Sequence, residues 1–433
     1  MSRPPAAPAR AGRLTTPAEP AYTSVVRAAA SSGTNTPVPQ EGGTLMAQLS
    51  HLDKILGQAV ESKAMPGVVA AVATADGTVY EGAFGRREAG KAAAMTVDTV
   101  VWIASMTKAI TTTAAMQQVE RGTLSLDQPA QEIVPPLAAA KVLEGFDASG
   151  APRLRAPRRP ITLRHLLTHT AGFSYEIWRP EIARYQEATG TPGIITCQNA
   201  ALTTPLLFDP GDRWEYGIGI DWAGKMVEAA SGQTLDRYFQ DNLFGPLGMT
   251  DTSFRLSASQ RARLASVHQR DERGALAAIE FALPETPEFC MGGGGLYGTV
   301  RDYLAFTRMF LRGGRGDNGQ VLRAETVDLM SRSHIGALEI APMKTAMPAL
   351  SKDVDLFPGV RKGWGLSFLI TGDPLPTGRS AGSLAWAGLA NTYFWIDRSR
   401  GVSGVLLSQV LPFFDDAVLA VLTAFETEVY RAL

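Results

Sequence analysis

The placement of the strand-like segments limits the fold of this chain more than any other feature. Near the start, the segment "GVVAAVATADGTVYEGAFG" holds two apolar runs around Asp76-Gly77, a dipeptide typical of hairpin turns. Near the end, four further segments show strand-like patterns: 363–370, 383–388, 391–399 and 402–410. The sequence therefore predicts an α+β fold in which an antiparallel sheet, built from both ends of the chain, is flanked by helices.

Helical patterns surround these strands and fill the long segment between them. In "LMAQLSHLDKILGQAVESKAMPG" (45–67), apolar residues recur at helical spacing until a Pro-Gly pair ends the pattern. A long helix is predicted to begin near Ser105 and to end at Gly122, and an amphipathic helix closes the chain. Helical patterns linked by Pro- and Gly-rich loops dominate 125–285.

These patterns divide the chain into three parts. The sheet domain is predicted to comprise 44–124 and 286–433, with a mainly helical insertion domain at 125–285. Residues 1–43 are rich in Ala, Pro, Ser, Thr and Gly without a sustained apolar period, so a disordered or loosely docked extension is predicted there. Because prolines stand where a signal peptide has its apolar core, the cytoplasm is the expected location.

Composition and motifs argue against several classes of function. A formal net charge of −1 over 433 residues argues against nucleic-acid binding, and no apolar segment is long enough to cross a membrane. Cys197 and Cys290 are too few for a disulfide framework. His165 and His169 are spaced like zinc ligands but lack the glutamate of a zinc-protease helix. Since no cofactor motif is found either, neither a metal nor a cofactor is predicted.

A serine and a lysine three residues apart give the first indication of chemistry. In "IASMTK" (103–108), Ser105 and Lys108 are predicted to share one face of a helix, among small and apolar neighbours. A serine hydroxyl attacks poorly unless a neighbour takes its proton, and lysine can do so when burial disfavours its charged form. A surface pair on an ordinary helix has the same spacing, so this motif needs support from the rest of the chain.

That support comes from a series of segments that resembles the serine β-lactamase and penicillin-binding-protein superfamily. In chain order the segments are "ASMTKAITTTAAMQQVERGTLSLDQP", "ITLRHLLTHTAGF", a stretch that begins "PGDRWEYGIGIDWAGKMVE", "GGGGLYGTVRDYLAFTRM" and "WAGLANTYFWIDRSRGVSGVLLSQVLP". Together they cover most of 45–430 in the expected order. Within the superfamily, the strongest resemblance is to the family VIII carboxylesterases and the lovastatin-type acyltransferases.

The resemblance implies a role for each of four residues. Ser105 would be the acylated nucleophile, and Lys108 would accept or shuttle its proton. Tyr216, in "WEYGIG", would act together with Lys108 as the base. The backbone N–H groups of Ser105 and Leu389 would form the oxyanion hole.

Two departures from the β-lactamase pattern bear on the substrate. "WAGL" (386–389) stands where β-lactamases carry a K-T-G motif, so Trp386, Ala387 and Gly388 would line an uncharged substrate pocket. Gly388 would also let the backbone approach the substrate closely. Ile218 stands on the substrate-binding side where β-lactamases have an asparagine, which removes an orienting amide. Both changes favour esters over β-lactams.

The sequence thus predicts a serine carboxylesterase that hydrolyses short-chain carboxylic esters, small-molecule substrates, through an acyl-enzyme intermediate. Three alternatives stay open: an acyltransferase that uses the same acyl-enzyme, a β-lactamase or DD-peptidase-like amidase, and an inactive binding scaffold. The intact Ser105, Lys108 and Tyr216 argue against the scaffold. The sequence leaves open whether the chain forms a homo-oligomer.

Overall fold

The chain is organised around a seven-stranded antiparallel sheet, seen in a computed structural model that describes residues 49–433. The strands, numbered in chain order, are β1 Gly67–Thr74, β2 Thr78–Gly85, β3 Val101–Trp102, β4 Val142–Phe146, β5 Pro152–Arg155, β6 His268–Arg270, β7 Leu276–Ala278, β8 Tyr297–Gly298, β9 Lys362–Trp364, β10 Leu369–Thr371, β11 Leu384–Gly388, β12 Thr392–Asp397, β13 Val402–Leu407 and β14 Val410–Leu411. The large sheet has the order β2-β1-β13-β12-β11-β10-β9, with every neighbouring pair antiparallel. Because β1 pairs with β13, both ends of the described chain contribute to one sheet, which confirms the predicted fold class.

The helices lie on both sides of this sheet and in the segment between its two halves. The α-helices are α1 His51–Glu61, α2 Thr107–Glu120, α3 Leu163–Leu167, α4 Pro180–Thr189, α5 Gly219–Ser231, α6 Leu235–Phe239, α7 Gly245–Leu247, α8 Ala258–Ala262, α9 Val300–Leu311, α10 Ala324–Met330 and α11 Asp416–Ala432. Single turns of 3-10 helix occur at Ala104–Met106, Ala130–Glu132, Pro135–Ala139, Ile194–Thr196 and Asn199–Thr203, and a π-helical turn at Gln240–Phe244. Within residues 49–433, no helix has both the length and the apolar character needed to cross a bilayer.

Two neighbouring aromatic residues on β12 show how the sheet is covered. Consecutive residues of a strand face opposite sides, so Phe394 and Trp395 lie on different faces. The Phe394 ring contacts Tyr303 of α9, with ring centroids 5.1 Å apart, whereas Trp395 contacts Phe425 of α11 at 6.0 Å. Helix α1 packs against α11 on the second face. Since both faces are covered, β1 is apolar along almost its whole length, "GVVAAVAT".

Two of the predicted strands differ from the observed ones. The segment 363–370 forms a hairpin of β9 and β10, because the backbone turns at Ser367, which has a φ of 68°. The predicted strand 402–410 leaves the sheet after Leu407, because the Gln409 side-chain amide binds both the N–H and the carbonyl of Trp102. Strand β14 consequently pairs with β6 and lies outside the large sheet.

The segment predicted to be mainly helical, 125–285, also contains two hairpins, β4–β5 and β6–β7. Each hairpin turn has an aspartate, Asp147 or Asp271, whose carboxylate accepts hydrogen bonds from backbone N–H groups of the turn. The sequence prediction followed the helical periodicity and missed these turns. The division into domains stays a prediction, and the predicted N-terminal extension, 1–43, lies outside the described residues.

Candidate active site

Ser105 lies at the start of the central helix α2, where several interactions fix the backbone. Strand β3 ends just before it, and the Ile103 N–H donates to the Leu296 carbonyl. The Thr107 hydroxyl donates to the Ala104 carbonyl at 2.7 Å and accepts from the Leu296 N–H at 3.1 Å. Ala104 has a φ of 46°, a conformation that side-chain-bearing residues adopt only when their surroundings enforce it. Ser105 is therefore held rigidly, half-buried, in the wall of a cavity.

Lys108 is buried beneath the serine, with an exposed fraction of 1%. Its ammonium group donates to Ser105 Oγ at 3.1 Å, to the Tyr175 hydroxyl at 2.9 Å and to the Gly293 carbonyl at 2.5 Å. An ammonium carries three donor hydrogens, so all of them are used. The structure thus brings the predicted pair together, with Lys108 as a fully partnered cation in contact with the serine.

Tyr216 lies on the other side of Lys108. The Lys108 Nζ is 4.8 Å from the centre of the Tyr216 ring, and the ring is buried. The Tyr216 oxygen accepts a hydrogen bond from Trp386 Nε1 at 3.0 Å. Trp386 was predicted to line the pocket, and it does, but its bond to Tyr216 could not be foreseen from the sequence. An N–H donor and a nearby cation both stabilise negative charge on a phenol oxygen.

A second tyrosine, which the sequence analysis missed, completes the cluster. Tyr175 accepts the hydrogen bond from Lys108, and its ring centre is 5.2 Å from Nζ. Burial raises the pKa of Tyr175 well above its ordinary value, and the nearby charges of Asp221 and Glu176 raise it further, so its phenol stays neutral. The segment "ITLRHLLTHTAGF" stops at Phe173, so extending the comparison by two residues would have included this tyrosine.

Asp221 is a further residue that the sequence analysis missed. It is buried in α5, and its Oδ1 accepts a hydrogen bond from the Gly293 N–H at 2.8 Å. Its Oδ2 has no hydrogen-bond partner within the described residues. Burial raises the pKa of Asp221 to about 6, although the charge of Lys108 opposes this shift. Because a Cβ atom at Gly293 would overlap with Asp221, only glycine allows the peptide that binds Lys108 to come this close.

The two histidines that resembled a zinc pair have different surroundings. His165 Nδ1 accepts from the Thr162 N–H in a capping box at the start of α3. His169 Nδ1 accepts from the Gly217 N–H at 3.4 Å, and its ring centre is 4.7 Å from that of Tyr216. Burial lowers the pKa of His169 well below its ordinary value, and the Lys108 charge lowers it further. His169 is therefore a neutral packing partner of the Tyr216 loop.

The strand that was predicted to serve the oxyanion hole lies beside the serine. Trp386, Ala387, Gly388 and Leu389 share a cavity wall with Ser105. A Cβ atom at Gly388 would overlap with the Ile103 carbonyl, so glycine is needed for β11 to approach the backbone before Ser105. The sequence predicted that Gly388 lets the backbone approach the substrate closely. In the structure, Gly388 lets β11 approach the chain segment at Ile103. This packing holds the Leu389 backbone next to the nucleophile.

Ile218 is the predicted site residue that the structure does not bring to the cavity. It is 2% exposed, and its carbonyl accepts from the Asp221 N–H at the start of α5. Its side chain is part of the core and is absent from the cavity wall formed by the described residues. An apolar side chain next to the Tyr216 loop gains free energy from burial in the core, and the substrate contact of Ile218 stays a prediction.

Ser105 opens to a cavity of about 280 Å³. Tyr175, Tyr216 and Leu389 also line it, and most of the remaining wall is apolar. The apolar side chains come from distant parts of the chain and include Trp102, Ile194, Phe281, Met343, Leu350 and Phe413. This volume is close to the roughly 300 Å³ at which small-molecule sites begin. The cavity offers apolar binding space directly at the candidate nucleophile.

Comparison with known proteins agrees with this arrangement. The profile of the family described as Beta-lactamase matches residues 52–427. Lovastatin esterase of Penicillium rubens is 34% identical over 398 residues, which are 88% of this chain and 98% of the relative. Monacolin J acid methylbutanoyltransferase of Aspergillus terreus is 33% identical, over 86% of this chain and 93% of the relative. The solved structure of the simvastatin synthase LovD6 mutant from Aspergillus terreus has a TM-score of 0.77 at 32% identity, covering 90% of this chain and 99% of that one.

An antiparallel sheet flanked by helices, with a serine one helical turn before a buried lysine, defines the class of β-lactamase-fold serine hydrolases and acyltransferases. The matched profile spans most of the chain, and relatives more than 30% identical are covered almost completely. The chain belongs to the Beta-lactamase family.

Proposed function

We propose that this protein is a serine carboxylesterase of the family VIII type, which hydrolyses short-chain carboxylic esters through an acyl-enzyme on Ser105. The observation that carries the proposal is the 3.1 Å contact between Lys108 Nζ and Ser105 Oγ at the wall of a largely apolar cavity. Ester cleavage through a covalent intermediate needs a nucleophile with neighbours that handle its proton. Apolar walls suit the acyl and alcohol parts of an ester.

Tyr216 acts as the base that takes the Ser105 proton. Lys108 Nζ contacts Ser105 Oγ, the Tyr175 hydroxyl and the Gly293 carbonyl, so as an ammonium it supplies positive charge beside the nucleophile. The ammonium group faces the Tyr216 ring at 4.8 Å, and Trp386 donates to the Tyr216 oxygen. Both contacts hold the Tyr216 side chain between Lys108 and Trp386, and a phenol oxygen fixed in this way can exchange a proton with the nucleophile. Tyr175 keeps its proton and helps to hold Lys108.

The reaction then has two stages. The Ser105 oxygen attacks the ester carbonyl carbon while its proton passes to Tyr216, and the backbone N–H groups of Ser105 and Leu389 bind the carbonyl oxygen as it gains charge. The ester C–O bond breaks, and the alcohol leaves with the proton from Tyr216. Water next gives a proton to Tyr216 and attacks the acyl carbonyl carbon. The acid is released, and Ser105 regains its hydrogen.

An acyltransferase is the second candidate, and the similarity to the Aspergillus terreus methylbutanoyltransferase favours it. An alcohol would take the place of water in the second stage, so the same residues would act on the same acyl-enzyme. A p-nitrophenyl ester supplied together with an alcohol acceptor separates the two activities. A new ester among the products indicates transfer, whereas free acid alone indicates hydrolysis.

Two other candidates have less support. A β-lactamase or DD-peptidase-like amidase is disfavoured because Trp386 and Ile218 replace the polar residues of the β-lactamase motifs. Turnover of a β-lactam measures this activity directly. An inactive scaffold is disfavoured by the bonded Ser105 and Lys108 pair, and labelling with an acylating phosphonate probe tests it.

The proposed esterase activity is tested by hydrolysis of p-nitrophenyl acetate, butyrate and octanoate. Wild type should hydrolyse the short esters, and Ser105→Ala should abolish the reaction. Ser149→Ala is the matched control, because Ser149 is an exposed serine in the β4–β5 turn and does not belong to the cavity wall. Equal rates in wild type and Ser105→Ala would contradict the proposal.

A further inference from the structure

We propose that the cavity selects uncharged esters and acceptors and excludes groups that carry a carboxylate, with Glu176 as the residue that sets this selectivity. The inference rests on the proposed function, because it concerns the substrates of the same acyl-enzyme. It starts from the charged groups in the cavity wall. Within the described residues, Glu176 is the wall residue with a carboxyl side chain, and no lysine, arginine or histidine accompanies it there.

Lys108, although close to the cavity, cannot serve as a binding site for a substrate carboxylate. It is 1% exposed, and its three donor hydrogens are bound to Ser105, Tyr175 and Gly293. A carboxylate could reach the ammonium only by replacing one of these partners, including the nucleophile itself. The Lys108 ammonium therefore interacts with groups of the protein, and an incoming anion finds no free donor on it.

Glu176 is a half-buried residue of the cavity wall. A Cβ atom on Gly193 would be 2.9 Å from Glu176 Oε1, which places the carboxylate against the segment that continues into Ile194 and Ile195. Both isoleucines line the cavity, and Ile195 is 40% exposed. Glu176 is half-buried and has no ion-pair partner within residues 49–433. Within residues 49–433, no cation neutralises the Glu176 carboxylate.

The nearest cation along the chain does not compensate for this charge. Arg179 follows three residues later, but its Nη2 binds Glu215 Oε2 at 2.5 Å. The Glu176 charge does reach the catalytic cluster, because it contributes to the raised pKa of Tyr175. The electrostatic surroundings of a bound substrate are therefore negative at Glu176 and uncharged along the apolar wall.

These surroundings separate substrates by charge. A carboxylate that enters the cavity loses hydration without gaining a partner, and it is repelled by Glu176. A neutral apolar group gains about 25 cal/mol for each Å² that it buries. The name of the Aspergillus terreus relative specifies an acid as its substrate. We infer that the present chain uses neutral acceptors and acyl donors instead.

The test uses three p-nitrophenyl esters of similar length: a methyl adipate ester, a hemiadipate with a free carboxylate, and an ester whose acyl chain ends in trimethylammonium. Values of kcat/KM are measured for wild type, Glu176→Gln and Glu181→Gln, and the rate with Ser105→Ala is subtracted as background. Glu181 is an exposed glutamate on α4, so its substitution removes the same charge outside the cavity.

For wild type, we expect the neutral ester to exceed the anionic ester by at least about tenfold in kcat/KM. In Glu176→Gln, the neutral-to-anionic ratio of kcat/KM should fall by about threefold or more, because the anionic ester is hydrolysed better. The cationic-to-neutral ratio should also fall, because the cationic ester is hydrolysed less well. Opposite movements of the anionic and cationic substrates require a charge effect, since a purely structural change would shift both in the same direction. Glu181→Gln should leave both ratios as in wild type.

The outcomes distinguish the inference from the proposed function. If Ser105-dependent hydrolysis is absent for all three esters, both the proposed esterase activity and the inferred charge selectivity are wrong. If the neutral ester is hydrolysed but the anionic ester is equally good, only the charge selectivity is overturned. The charge selectivity is also overturned, and the proposed function is not, if Glu176→Gln and Glu181→Gln change the ratios by the same factor.

Discussion

The indole Nε1 of Trp386 donates a hydrogen bond to the hydroxyl oxygen of Tyr216 over 3.0 Å. Trp386 belongs to β11, whereas Tyr216 precedes α5, so this bond joins the sheet to the segment that carries the proposed base. The two rings are also in contact, with centroids 4.9 Å apart. Trp386 therefore both lines the cavity and holds the hydroxyl oxygen of the proposed base.

Trp386→Phe should lower kcat/KM for p-nitrophenyl butyrate by about tenfold, because a hydrogen bond to a charged oxygen contributes roughly 1.5–3 kcal/mol. Steady-state kinetics with p-nitrophenyl butyrate measure this effect. Trp214→Phe is the control, because Trp214 stacks near Tyr216 but its Nε1 has no partner within the described residues. Equal losses of kcat/KM in both variants would contradict this role.

Removing each phenol hydroxyl should distinguish the two tyrosines. Tyr216→Phe should reduce kcat by about a thousandfold or more, because it removes the proposed base. Tyr175→Phe should reduce kcat by only about tenfold, because Lys108 keeps its bonds to Ser105 and Gly293. Single-turnover kinetics with p-nitrophenyl acetate resolve the acylation step in each variant. The reverse order of effects would assign the base role to Tyr175.

Asp221→Asn should stabilise the folded protein at neutral pH. Burial raises the pKa of Asp221 to about 6 from 3.8, so the folded state loses stability relative to the unfolded state as the pH rises between these values. The free energy of unfolding of the variant should exceed that of wild type on the order of 3 kcal/mol above pH 6, and the difference should vanish near pH 4. Urea unfolding at several pH values measures it. The exposed Asp76→Asn is the matched control, and a pH-independent difference for Asp221→Asn would count against a buried charge.

Gly388→Ala should damage both activity and stability. A Cβ atom there would overlap with the Ile103 carbonyl and Thr392 Oγ1, so β11 must move away from Ser105. Overpacking of this kind costs about 1–3 kcal/mol of unfolding free energy. We expect kcat/KM to fall by about a hundredfold as the Leu389 N–H is displaced. Thermal unfolding measures the change in stability, and steady-state kinetics measure the change in kcat/KM. Gly77→Ala, with open space around its Cβ position, should change neither.

The sequence could predict the contacts that are local along the chain. Ser105 and Lys108 are three residues apart, so helical geometry alone brings them together. Asp76-Gly77 and the apolar runs beside it likewise predicted the β1–β2 hairpin. The position of Tyr216 came only from the family resemblance, and the structure places its ring next to Lys108.

The contacts that were missed join residues far apart in the chain. Tyr175 is 67 positions from Lys108, and Gly293 is 185 positions from it, so no local pattern relates them. Asp221 was missed for a similar reason, because its partner Gly293 is 72 positions away in a separate turn. Ile218 lies in the core, and the sequence could not indicate this because an apolar residue beside a site motif fits the core as well as a binding wall.

The most direct test of the account is to trap the acyl-enzyme. The protein is mixed with p-nitrophenyl butyrate, quenched with acid during turnover, and digested for mass spectrometry, with Ser105→Ala and Ser149→Ala as parallel samples. We predict one butyryl group on the peptide that contains Ser105, in wild type and Ser149→Ala but not in Ser105→Ala. Butyrylation at another residue, or turnover that persists in Ser105→Ala without any adduct, would contradict a mechanism built on Ser105.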